Sequence, residues 1–288
     1  MTVAPRAVTR RLMPMLFMTL GLTAPATFAA ADDAQALPAK MSLESSAETG
    51  DPFAAFVAGR RYLIAGANEG NNEMLMKGLS FLQLSADAGF APAARFAGSL
   101  YLDGQYIPVD RKQAALWYTR AAEMGDPGAQ KELGDLYASG DLGGQELHEA
   151  VFWYEKTLGN PEADYERDRL WEVAVRLGGL YAEGIGVDKD PARALALWEE
   201  AAKRAGYPPA YQQLAGAYAT GLGGKADVKE ALKTYYQAAH AYQSEAIRFE
   251  MGPDTVHHAQ AEILGQMQEL KPKASLTRKL AKEVERLN

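Results

Sequence analysis

The sequence predicts an all-α protein, an α/α superhelical solenoid of five helix-pair repeats with a helical C-terminal cap. Three observations carry this reading. A small residue followed three positions later by Tyr occurs five times, as Gly59/Tyr62, Gly98/Tyr101, Gly134/Tyr137, Gly178/Tyr181 and Ala215/Tyr218. The Tyr-to-Tyr intervals are 39, 36, 44 and 37 residues, a period at which helix pairs stack into arrays. After each phrase, Gly, Asp, a bulky pair and a small pair tend to return in that order.

In chain order, residues 1–31 read as a cleavable secretory signal peptide. Arg6, Arg10 and Arg11 precede an apolar run from Leu12 to Leu22 and then small residues up to Ala31, with no acid before Asp32. The run is short and broken by Pro, so no stable membrane span is expected after processing. The chain has no cysteine. This excludes a lipoprotein, disulfides, zinc–thiolate sites and thiol nucleophiles. Residues 32–50 are polar and read as a flexible lead. The repeats follow at about 51–90, 91–125, 126–168, 169–206 and 207–242. Residues 243–288 form the cap, with helices expected from Pro253 to Leu270 and from Leu276 to Leu287, broken at Lys271-Pro272.

Each repeat position has a physical task. The small residue before Tyr lets two helices approach closely. Gly104, Gly140, Gly184 and Gly221 end the first helices in a left-handed turn. Asp110, Asp190 and Asp227 cap the second helices. Trp117/Tyr118, Trp153/Tyr154, Leu197/Trp198 and Thr234/Tyr235 are the bulky pairs. Ala121/Ala122, Ala201/Ala202 and Ala238/Ala239 give the small surface for the next unit. The first unit departs from the pattern, with only Phe81 matching. The third has Thr157-Leu158 for Ala–Ala, and a charged insertion from Gly159 to Arg169.

These motifs, over residues 51–242, resemble the Sel-one-like repeat, a relative of the tetratricopeptide repeat. The resemblance implies a protein–protein interaction scaffold. Exported proteins similar to this one include negative regulators of sensor kinases that control exopolysaccharide, and assembly factors for polysaccharide secretion. It also implies an alternative, a periplasmic hydrolase acting on cell-wall or β-lactam amides. The members so described are Cys-rich, which this chain is not.

Composition narrows the partners. With 48% hydrophobic residues the chain can bury a large core. Its formal charge is -7. Without the three arginines of the signal peptide it is about −10, which argues against nucleic acid or anionic lipid. Adjacent His257 and His258 point apart on a helix and do not make a metal site. Gly184-Ile185-Gly186 lacks the strand and the Gly-Lys-Thr/Ser of a phosphate loop. No catalytic residue, metal or cofactor is assigned.

The sequence register places Phe56 and Arg60, Arg95 and Ser99, Lys131 and Asp135, Val175 and Gly179, and Gln212 and Gly216 on a concave groove. The candidate protein-binding residues are therefore Arg60, Arg95, Ser99, Lys131, Asp135 and Gln212. The row Arg60, Arg95, Lys131 suits an acidic peptide from another envelope protein. The expected location is the periplasm. N-terminal sequencing of the protein recovered from the cell envelope should begin after Ala29 or Ala31. A chain still beginning at Met1 would refute export with cleavage.

Overall fold

The structure, a computed structural model, describes residues 37–144, 146–164, 169–244 and 251–270. The signal peptide and the expected helix at 276–287 lie outside the described residues. Twelve helices and no strand occur among the described residues. They are α1 (Leu37–Glu48), α2 (Pro52–Glu69), α3 (Asn72–Asp87), α4 (Ala91–Asp103), α5 (Arg111–Glu123), α6 (Pro127–Ser139), α7 (Leu147–Leu158), α8 (Leu170–Glu183), α9 (Pro191–Ala205), α10 (Pro208–Thr220), α11 (Val228–Ala241) and α12 (Pro253–Leu270). The pairs α2/α3, α4/α5, α6/α7, α8/α9 and α10/α11 are the five units, each packed on the next.

Local chemistry sets the boundaries. Asp110 accepts hydrogen bonds from the Lys112 and Gln113 N–H groups, Asp190 from Arg193 and Asp227 from Glu230. These carboxylates satisfy amides that a helix start leaves open. Pro at N1 or N2 of α2, α4, α6, α9 and α10 presets the first turn. The first helices α4, α6, α8 and α10 all stop at a Gly with φ between 65° and 80°, a conformation other residues resist. A recurring backbone bond then closes each loop. The N–H of Asp110, Glu146, Asp190 and Asp227 reaches the carbonyl of Tyr101, Tyr137, Tyr181 and Tyr218 at 2.9, 3.2, 2.9 and 2.8 Å.

Within a unit, the bare first helix receives a ring from the second. A Cβ on Gly98 would lie 2.9 Å from the Tyr118 ring, and one on Gly134 would lie 2.7 Å from the Tyr154 ring. Gly178 meets Trp198 in the same way. In the first unit Gly59 and Gly78 face each other, each Cβ position 2.9 Å from the other's carbonyl, with Leu82 beside Gly59. Between units the contact is made by small residues. Ala121, Ala122, Ala201, Ala202, Ala238 and Ala239 are all buried.

Three departures from the sequence reading have clear causes. In the first unit Leu82 and Ala86, not Phe81 alone, take the repeat positions, with Phe81, Leu82, Ser85 and Ala86 all buried. Leu82 fills the space of the ring, and Ser85 is small enough for an Ala position, its hydroxyl donating to the Pro52 carbonyl at 2.6 Å. Thr157 is likewise fully buried and donates to the Trp153 carbonyl at 2.8 Å. The third departure is the lead. Residues 37–48 are helical, and Ala47 is buried against Ala54, Ala55, Ala58 and Phe81. Leu43 and Ala47, one turn apart, give α1 an apolar edge.

At the other end α12 spans Pro253–Leu270, as the sequence predicts. Its buried Val256, Ile263 and Met267 pack on Leu232, Tyr235, Ala239 and Tyr242. Opposite signs are expected for two glycine substitutions. Gly134→Ala puts a methyl into the Tyr154 ring and should cost about 1–3 kcal/mol. Gly179→Ala meets nothing within 4 Å and should stabilise by up to about 1 kcal/mol through helix propensity. Urea unfolding of both variants checks this, and stabilisation of both would mean that the gap is not tight.

Candidate functional site

The first helices of adjacent units meet along seams, and the sequence-nominated residues sit there. Phe56, Arg60, Arg95, Lys131 and Asp135 each reach a side chain on, or capping, the first helix of the next unit. Phe56 and Ser99 are buried. Arg60 lies 5.7 and 5.6 Å from the rings of Phe56 and Phe96. It has no ion pair among the described residues, so its charge remains available. Arg95 holds Asp126 across the next seam, Nε to Oδ1 at 3.0 Å. Asp126 in turn caps α6 through the Ala129 N–H. Ser99 turns its hydroxyl to the Phe96 carbonyl at 2.8 Å.

The α6/α8 seam carries an ionic network. Asp135 accepts from the Tyr154 hydroxyl at 2.6 Å, from Lys131 at 3.1 Å and from Arg176. Lys131 also reaches Glu132 at 3.3 Å and Glu172 at 3.8 Å, and Glu172 pairs with Arg169. Lys131 shows 14% of its side chain, so it is held inside the network. Burial alone would lower its pKa, but Glu132, Asp135 and Glu172 outweigh that and raise it. The structure thus joins Lys131 and Asp135 to each other, and leaves Gln212 half-buried on α10, away from both. Of the expected basic row only Arg60 carries an unneutralised charge, because Arg95 and Lys131 each face a carboxylate from the next unit or their own helix.

Sequence reading missed where the second-helix rings end. They cross the first-helix layer at the small residues and present their polar tips to the seams. Tyr154 reaches Asp135, and Trp198 Nε1 donates to the Val175 carbonyl at 3.1 Å. The recurrence of Gly opposite a Tyr or Trp is the signal that would have shown it. A parallel set ties the other side. The Tyr181 hydroxyl donates to Glu155 of the preceding second helix, which Arg193 of α9 also holds at 2.9 Å. Tyr62, Glu44 of α1 and Lys77 of α3 repeat the arrangement, with Lys77 Nζ 2.7 Å from the Tyr62 hydroxyl.

His257 and His258 are both exposed on α12. No group of three His, Asp or Glu side chains gathers to hold a metal among the described residues, and no described helix is long and apolar enough to cross a membrane.

The Sel1 repeat model matches residues 91–126, 127–157, 171–205 and 208–241. The chain belongs to the Sel1 repeat family. The four matched stretches are the α4/α5, α6/α7, α8/α9 and α10/α11 units, and the α2/α3 pair precedes them. Sel1-repeat-containing protein YjcO of Escherichia coli (strain K12) is 26% identical over 195 residues, 67% of this chain and 76% of the relative. A solved structure of c5321, a protective antigen present in uropathogenic Escherichia coli strains displaying an SLR fold, aligns with TM-score 0.57 and 27% identity. That alignment covers 86% of this chain, which spans 47% of that protein's length. A Sel1 repeat protein from Oxalobacter formigenes shares the fold, with TM-score 0.52, 23% identity, and coverage of 77% of this chain and 96% of that one.

Buried phenols give this Sel1 array a pH signature. Burial, then the bond to Glu155, raises Tyr181 from 10.0 to about 12. Burial, then Glu262, raises Tyr242 to about 12. Tyr118, Tyr154 and Tyr235 are also raised, chiefly by burial. A folded pKa above the unfolded value gives stability that is whole below the unfolded pKa and is lost as pH rises through the folded one. Stability should therefore hold up to about pH 10 and fall steeply toward pH 12. Tyrosinate absorbance should rise late, in step with unfolding. A smooth titration centred on the ordinary tyrosine value with the fold intact would contradict it.

Proposed function

We propose that this chain is an exported protein-interaction scaffold that receives a segment of another envelope protein on its first-helix face. Sel1 repeat proteins generally serve as protein-interaction scaffolds, and stacked helix pairs create extended binding surfaces. The observation that carries the reading is the set of polar ring tips held in the first-helix seams. A surface fixed by packed rings loses little freedom when a partner docks. Arg60, stacked on two rings and without an ion pair, supports an acidic partner segment. The periplasmic location rests on the order of basic, apolar and small residues before Asp32. The narrower role, regulation of an envelope sensor kinase or assembly of exopolysaccharide machinery, rests on the family resemblance. An amide hydrolase is the alternative, and turnover of amide or β-lactam substrates by the purified protein would favour it.

Face-specific crosslinking tests the reading. A photoreactive residue replaces Ile64 or Ser139, exposed on the first helices α2 and α6, or Leu116, exposed on the second helix α5. In cells, the first-helix positions should capture one recurring envelope protein and Leu116 should not. Arg60→Glu should reduce that capture, since a charge-assisted contact contributes about 1.5–3 kcal/mol. Equal capture from both faces, or none above a no-crosslinker control, would overturn the reading.

A further inference from the structure

On the first helices, the positions two before, one after and five after the small residue form a row. In α6 that row holds Glu132, Asp135 and Ser139, and none of them is fully buried. In α2 the same row reads Val57, Arg60 and Ile64, with Phe53 one turn ahead of it. Spacings of four, three and four residues keep all four side chains on one face of α2. Phe53 is 45% exposed and Ile64 44%, while Val57 and Arg60 are half-buried. Two large apolar side chains therefore stand in solvent on either side of a cation, where α6 carries polar groups.

The floor beside this row is aromatic. Phe53 meets Phe90 edge-on at 6.1 Å, Phe90 meets Phe56 at 5.4 Å, and Phe56 meets Phe96 edge-on at 5.9 Å. Arg60 lies over the last two rings. Its charge also reaches Tyr106 in the α4/α5 loop, where it offsets part of the rise that burial gives the phenol pKa. Arg95, Lys131 and Arg176 each meet a carboxylate. Arg60 meets none among the described residues. A guanidinium already held over rings loses little further freedom when a carboxylate arrives. An Arg set among aromatic and aliphatic side chains is also the composition found at the centre of binding interfaces.

We propose that the α2 face from Phe53 to Ile64 receives an amphipathic helix of a partner protein, whose apolar stripe is interrupted by one Asp or Glu. The carboxylate pairs with Arg60, and apolar residues on either side of it cover Phe53 and Ile64. At about 1.5 Å per residue, Phe53 stands about 10 Å from Arg60 along α2 and Ile64 about 6 Å. A helix lying alongside repeats this spacing on one of its own faces, with the acid four residues from one apolar anchor and seven from the other. A strand does not match. It would place about three residues between the far anchor and the acid, and an odd step turns the side chain to the opposite face. Charge favours a partner over this chain's own C-terminal sequence, since residues 271–288 hold six Lys or Arg and two Glu. This deepens the scaffold reading and rests on it.

Three labelled peptides of about twenty residues test the proposal on the whole mature chain, a length that spans the row with a turn to spare at each end. The first is a capped Ala/Gln helix with Leu at its fourth and fifteenth places and Glu at its eighth. The second has Gln in place of that Glu. The third keeps the Glu and has Pro at its eleventh place, which breaks the helix. Fluorescence anisotropy gives affinity, and ¹³C-methyl isoleucine spectra report on Ile64. The first peptide should bind saturably and move the Ile64 signal, and the other two should bind about fivefold more weakly. Arg60→Gln should abolish the preference for Glu over Gln. Ile64→Ser should weaken both of those peptides, whereas Leu116→Ser on α5 should weaken neither. No binding, equal binding of the Glu and Gln peptides, an Ile64 signal that does not move, or undiminished affinity in both Arg60→Gln and Ile64→Ser would overturn the site. Equal binding of the Pro peptide would overturn the helical form of the partner. A chain that sediments as a dimer and becomes a monomer on Ile64→Ser would give the face to a second copy instead. Photocrosslinking separates this proposal from the reading beneath it. Capture from Ser139 but not from Ile64 removes the α2 face and leaves the scaffold reading standing, whereas capture from neither removes the scaffold reading itself.

Discussion

A ring from a second helix packs closest on a first helix where the first helix has no side chain to hold it off. That steric condition, met by Gly98 for Tyr118, Gly134 for Tyr154 and Gly178 for Trp198, governs the rest of the molecule. It sets the distance between the helices of a pair. It buries the aromatic bulk that a cysteine-free chain relies on for its core. It also carries the polar tips of Tyr154 and Trp198 into the first-helix layer, where Asp135 and the Val175 carbonyl receive them. A glycine inside a helix ordinarily weakens it by about 1 kcal/mol, and here the buried ring more than offsets that.

The seams between first helices show how one register accommodates different chemistry. Between the first and second units the contact is aromatic and cationic, with Arg60 on Phe56 and Phe96. Between the second and third it is a single ion pair, Arg95 with Asp126. Between the third and fourth it is a network around Asp135. Buried ion pairs contribute little net stability because desolvation opposes attraction, but removing one member leaves an uncompensated charge. Lys131 and Asp135 therefore fix the relative setting of two units more than they strengthen it. Toward the fifth unit the same positions are Gly179 and Gly216, and the charged ladder ends.

Much of the fold was legible because its signals are local. Asp110, Asp190 and Asp227 cap where a carboxylate should, the four chain-reversing glycines take positive φ, and Pro253–Leu270 forms one helix. What escaped needed neighbours in space. Leu82 replaces a ring only because Gly59 and Gly78 bring the first pair so close. The helix at 37–48 was hidden by polar composition, since one edge of Leu43 and Ala47 is enough when a partner is in place. Thr49-Gly50-Asp51-Pro52 matches Met124-Gly125-Asp126-Pro127 in type at Gly, Asp and Pro, and it marked a helix end before α2. The groove register selected the right stripe of residues and missed its role. Sequence spacing tells which positions share a helix face, but not that the next unit already covers that face.

The helix at 37–48 has a consequence for how such a chain can grow. Glu44 stands toward Tyr62 and Lys77 as Glu155 stands toward Tyr181 and Arg193, so α1 meets the first unit as a second helix meets the unit that follows it. On the opposite end α12 covers Tyr235 and Leu232 where another first helix would lie. Among the described residues, the helices that flank the five units thus make repeat-like contacts with them. A whole pair inserted by gene duplication between these two helices would meet, on each side, the surface that its predecessor met.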